Sequence, residues 1–172
     1  MKIIGIDPGL AGTGIGVIEG QGCHIAGYSF GSISTDAGES TPVRLEQIYR
    51  NTKSLLIEQQ PDFVVIEDIY SLEKYPGAGI MLGKVSGVLI LAAFKAGVQI
   101  REVAVREVKK VISGNGSANK YQVERAVRHL LNHHEPIRPF HASDALGMAL
   151  TGLFRYGGIG GGGKDLKYDR LP

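Results

Sequence analysis

Apolar residues recur along the chain with two periods, and the alternation between them sets out the elements. Lys2-Ile-Ile-Gly-Ile-Asp7 is a short β-branched run closed by Pro8-Gly9, the pattern of a buried strand. Thr13–Ile18 and Ile25–Ile33 continue in the same style, the second pair parted by Gly20-Gln21-Gly22, so three strands form an antiparallel meander. Thr41-Pro42 then opens a helix in which Leu45, Ile48, Tyr49, Leu55 and Leu56 keep helical spacing until Pro61. Phe63–Glu67 is again a buried strand. Residues 68–79, with Tyr70, Tyr75, Pro76, Gly77 and Gly79, read as a loop or a poorly capped segment. Ile80–Ala96 is a long apolar helix whose Gly83 and Gly87 suit close packing. Val98–Val105 is the fifth strand, and Val105–Ile112, Asn119–Asn132 and His141–Tyr156 are the closing helices. The order β-β-β-α-β-α-β-α-α-α predicts an α/β fold, a five-stranded mixed sheet flanked by helices.

Composition narrows the class. At 172 residues and 43% hydrophobic the chain suits one domain with a proper core. Residues 1–156 are expected to form that domain, and the Gly-rich stretch 157–172 a flexible tail. Its one cysteine, Cys23, excludes a disulfide framework and a cysteine-only zinc site. The longest unbroken apolar run, Val88–Phe94, is far short of a membrane span, and nothing at the start reads as a signal peptide. A soluble cytoplasmic protein with no membrane partner is therefore expected. Charge is segregated: residues 1–73 carry 4 Lys/Arg against 10 Asp/Glu, and residues 74–138 carry 11 against 4. An acidic front beside a basic middle pairs a cation-loving cluster with a phosphate-loving surface, although solvated helix faces produce the same count.

Three places carry candidate chemistry. Asp7 and Glu67 each end an apolar strand; on neighbouring parallel strands in register they would emerge about 5 Å apart, where a divalent cation relieves their repulsion. His141-Ala-Ser-Asp144 places an imidazole and a carboxylate on one helix face. The plain alternative is that Ser143 or Asp144 caps that helix. Three carboxylates with one imidazole suit Mg²⁺ or Mn²⁺ better than zinc. Lys109, Lys110 and Lys120 flank Gly114-Asn115-Gly116-Ser117, a turn whose amides and hydroxyl suit phosphates, with Arg101, Arg106, Arg125 and Arg128 nearby in sequence. Tyr70 and Tyr75 follow Glu67 and are candidates to stack on unpaired bases. Gly12-Thr-Gly14-Ile-Gly16 leads into a strand and lacks the dinucleotide spacing, and no P-loop occurs, so no nucleotide cofactor is expected.

The ordered set Ile-Ile-Gly-Ile-Asp7-Pro-Gly, Ile-Glu67, Leu-Gly-Lys84-Val-Ser-Gly87, Val-Lys109, Gly116-Ser-Ala-Asn-Lys120 and His141-Ala-Ser-Asp144-Ala-Leu resembles the RuvC family of Holliday junction resolvases from Met1 to about Tyr156. The resemblance implies a ribonuclease-H-like fold, a homodimer, and Mg²⁺-dependent paired symmetric nicking of four-way DNA junctions, with Mn²⁺ as a substitute and two metals per site. It assigns catalysis and metal binding to Asp7, Glu67, His141 and Asp144, with His141 where many members have Asp. It assigns DNA contacts to Tyr70, Lys84, Lys109, Ser117 and Lys120, and a RuvA/RuvB branch-migration complex as a partner. Products would carry a 5′ phosphate at a ligatable nick, and His141 is either a ligand or a general base. Two rivals stay open: a non-catalytic junction-binding or YqgF-type homologue of the same fold, and an actin-like or sugar-kinase-like ATPase. The second normally needs a second phosphate loop and a larger second domain, for which 172 residues give little room.

Overall fold

The structure, a computed structural model, describes residues 1–68 and 76–157. Strands β1 (Lys2–Asp7), β2 (Gly12–Gln21) and β3 (His24–Ser34) form the expected meander. Helix α1 (Thr41–Gln59) leads to β4 (Phe63–Glu67), α2 (Pro76–Lys95) to β5 (Gln99–Val103), and α3 (Val105–Ser113), α4 (Lys120–Leu131) and α5 (Phe140–Tyr156) follow. The sheet runs β3-β2-β1-β4-β5. β1 pairs antiparallel with β2 and parallel with β4, and β4 pairs parallel with β5, so the sheet is mixed as predicted.

The largest boundary difference from the sequence reading is at the start of α2; β2 also runs on to Gln21, into the expected turn, and β5 ends at Val103. Residues 76–79, expected in the loop, already belong to α2. Proline and glycine read as breakers there, yet a proline in the first turn gives up only an amide that has no intrahelical partner. Helix α1 ends where expected, with Gln60 in the left-handed region (φ 46°) just before Pro61.

Side chains alternate across the strands and divide the core in two. Ile3 and Ile18, with Phe63 and Val65, pack against α3, α4 and α5. Ile4, Ile6, Ile15, Val17, Val64 and Ile66 pack against α1 and α2. By the same alternation Asp7 and Glu67 project to the α5 side. Contact there is close. A Cβ on Gly5 would overlap the Ala145 carbonyl oxygen, and one on Gly14 would overlap that of His141. Only a residue without a side chain lets the helix backbone lie this near the strands. On the other face, Val85, Leu89 and Ala93 of α2 are buried while Ile80, Leu91 and Phe94 are exposed. By length and composition alone, Gly77–Lys95 also passes as a bilayer-crossing segment, with a mean hydropathy of 1.8.

Candidate active site

The parallel register Ile3↔Phe63 to Ile6↔Ile66 carries one residue further to Asp7 beside Glu67, the juxtaposition the sequence predicts. Both stand at the C-terminal ends of parallel strands, where ligands meet open α/β sheets. Helix α5 brings the remaining donors. Gly5 and Gly14 seat its first half on β1 and β2, and His141 Nδ1 comes within 3.2 Å of Asp7 Oδ2 across 134 residues of chain. Asp144, one turn on, is half-buried on the same side. The capping alternative fails: Pro139 is the N-cap, no side chain caps the helix, and the Ser143 hydroxyl donates to the Phe140 carbonyl.

Electrostatics couples the three acids. The Asp7 carboxyl, only 13% exposed, is pushed up to about 8, first by burial and then by the charges of Asp144 and Glu67. Glu67 is raised by burial and by Asp144, against the pull of Lys109; Asp68 raises it further. Asp144 is raised by burial, while His141, Lys109 and Lys120 pull it down. The structure therefore sets His141 against Asp7 and brings Glu67, Asp144, Lys109 and Lys120 within electrostatic range of the same strand ends. Desolvated like charges held together are the electrostatic condition a divalent cation satisfies, and three carboxylates with one imidazole are donors that Mg²⁺ or Mn²⁺ accepts. Among the described residues no three His, Cys, Asp or Glu side chains converge as a ready-made ligand set, so the fit rests on donor chemistry and charge.

The other expected contacts are placed less closely. Ser117 is exposed in the α3–α4 turn, its amide donating to Asn115 Oδ1 at 2.9 Å. Lys84 is exposed on α2, on the opposite side of the sheet from α5. Tyr70 lies outside the described residues. The sequence reading missed Asp68, one residue past Glu67, and the aromatic pair Tyr121 and Phe140 next to Lys120 and His141. For the pair, the available signal was an aromatic at the mouth of each helix: Lys120-Tyr121, and Phe140 just before His141.

Fold and site together define a ribonuclease-H-like nuclease. The family model for the crossover junction endodeoxyribonuclease RuvC matches residues 3–152. A RuvC from Brevibacillus brevis is 38% identical over 88% of this chain and 90% of its own length. One from Chlorobium phaeovibrioides is 39% identical over 98% of this chain and 88% of its own. Among solved structures, T. thermophilus RuvC in complex with a Holliday junction substrate superposes with a TM-score of 0.82 at 30% identity, covering 90% of this chain and 93% of that one. The chain belongs to the RuvC family of crossover junction endodeoxyribonucleases.

Proposed function

We propose that this protein resolves four-way DNA junctions by paired symmetric nicks, one from each active site of a homodimer. The observation that carries the reading is the set of desolvated carboxylates Asp7, Glu67 and Asp144, each raised by burial and the first two also by the charge of Asp144, with Lys109 and Lys120 in range of Asp144. Asp7, Glu67, His141 and Asp144 are the residues that would hold divalent cations, Mg²⁺ or in its place Mn²⁺, two per site. Such cations supply Lewis-acid activation of water and charge neutralisation at the phosphate.

The chain's own groups do the rest. Lys109 and Lys120 draw a phosphodiester toward the acids and hold its non-bridging oxygens, because a phosphate alone would be repelled there. His141, 51% exposed and in contact with Asp7, is placed to pass a proton between the site and solvent. Hydrolysis adds the water oxygen to phosphorus and breaks the bond to the 3′ oxygen. The departing oxygen gains a proton, leaving a 5′ phosphate and a 3′ hydroxyl that a ligase can rejoin.

Residues 1–156 form the nuclease domain in this reading. Tyr70, Lys84 and Ser117 contact the junction outside the acids, and the exposed apolar side of α2 joins the two copies. A RuvA/RuvB-type branch-migration complex would deliver the substrate. The reading is tested on a four-way junction with a mobile core and one with a fixed core, in Mg²⁺, Mn²⁺ or EDTA, against linear duplex. Paired nicks at symmetric positions that need the cation are expected. Tight junction binding without nicking in either metal would contradict the reading and make the protein a junction-binding homologue.

A further inference from the structure

The mouths of α4 and α5 carry a second cluster beside the acids. Tyr121, in the first turn of α4, is 61% exposed. Phe140 opens α5 immediately before His141. The two rings meet edge to face, centroids 5.3 Å apart at 87°. Lys120 Nζ lies 4.9 Å from the Phe140 centroid and 5.3 Å from that of Tyr121. The Arg138 guanidinium carbon stands 4.0 Å over Phe140. The carboxylate near Arg138 is that of Glu124, 3.9 Å away, and it already holds Arg128 at 2.8 Å and accepts from the Ile137 amide at 2.9 Å. Two cations thus gather on one ring, a few ångströms from residues that face the acids.

Neither ring belongs to the buried core. Burial would hide both rings, whereas Tyr121 stays mostly in solvent while Phe140 and Lys120 brace it from one side. A braced, open ring with cations at its rim matches the two needs of a nucleotide: a flat apolar base and an anionic phosphate. The bases at a branch point are also the least securely stacked in the substrate.

We infer that Tyr121, braced by Phe140, is a stacking platform for an unpaired base next to the scissile phosphate that Lys120 holds, with Arg138 receiving a flanking phosphate. The inference rests on the nuclease reading and adds a positioning residue to it. Stacking accepts every base but favours the larger purine faces, so the platform would bias where the strand is cut without hydrogen-bonded readout.

The test uses the full chain and a junction with 2-aminopurine at the nucleotides flanking the nick. In an Asp7→Asn background that leaves the DNA uncut, fluorescence of the bound junction should be lower with Tyr121 or Tyr121→Phe than with Tyr121→Ala. In the cutting enzyme, Tyr121→Ala should slow the single-turnover rate about tenfold while junction affinity changes far less, and Tyr121→Phe should restore the rate. Identical fluorescence and identical rates for Tyr121 and Tyr121→Ala would overturn the platform. Because the fluorescence needs no cutting, failure of the wild-type chain to nick would sink the nuclease reading while Tyr121 is still decided. Tyr121 is exposed, so an unchanged melting temperature for the alanine variant verifies that the fold is intact.

Discussion

Helix α5 is buried at every residue from Ala145 to Leu153, whereas α2, the more apolar of the two, leaves Ile80, Leu91 and Phe94 in solvent. The two helices lie on opposite faces of one sheet, and they put apolar surface to different uses. On the α5 face, small residues and glycines bring helix backbone onto strand backbone. The resulting dry floor at the strand ends is what raises Asp7, Glu67 and Asp144. On the α2 face the packing is looser, Gly83 and Gly87 having open space around them, and the outer side of the helix is the face proposed above to meet a second copy. Charge is concentrated where packing is tightest, and exposed apolar surface where it is loosest.

Breaking the charged side should have the largest effect. Glu67→Gln removes one donor from the acidic group, and cleavage should fall by about three orders of magnitude with junction binding retained. Single-turnover cleavage together with a binding titration separates the two effects. Breaking the packing beneath comes next. In Gly5→Ala the new methyl meets the Ala145 carbonyl, so stability should drop by about 3 kcal/mol, read by denaturant unfolding. An unchanged midpoint would mean that α5 can lift off the strands at no cost.

On the other face, Phe94→Glu should weaken dimerisation by about 2 kcal/mol while altering the stability of the fold by about 0.5 kcal/mol or less. Analytical ultracentrifugation and thermal unfolding read the two separately. The smallest expected step is a pH slope, up to about 1.4 kcal/mol for each pH unit. Asp7 ionises at about 8 in the folded chain against an ordinary 3.8, so between those values the folded state holds a proton that the unfolded state has lost. Stability without metal should therefore fall as pH rises through that window. The melting temperature in EDTA should drop by a few degrees per pH unit, and Asp7→Asn should flatten the slope.

Much of this design is written locally in the sequence. The element order, the strand-end positions of Asp7 and Glu67, and the His141/Asp144 spacing all follow from periodicity and turn residues. The start of α2 did not, because Pro76 and Gly77 break helices in the interior and are tolerated in a first turn. Nor did the role of Gly5 and Gly14, which read as ordinary strand glycines until the helix 140 residues later is laid on them. The contact of His141 with Asp7 and the pairing of Tyr121 with Phe140 are likewise tertiary facts. Spacing along one element shows which residues share a face, and only the packed sheet shows which faces meet.

In the reading proposed above, the α5 face holds its carboxylates in surroundings that a cation completes. Calorimetry of Mn²⁺ binding near neutral pH, in two buffers of different ionisation enthalpy, tests it most directly. Because Asp7 is pushed up to about 8, cation binding should release about one proton per site, and Asp7→Asn should abolish the release. Tight Mn²⁺ binding with no proton released, or none of it dependent on Asp7, would contradict the account.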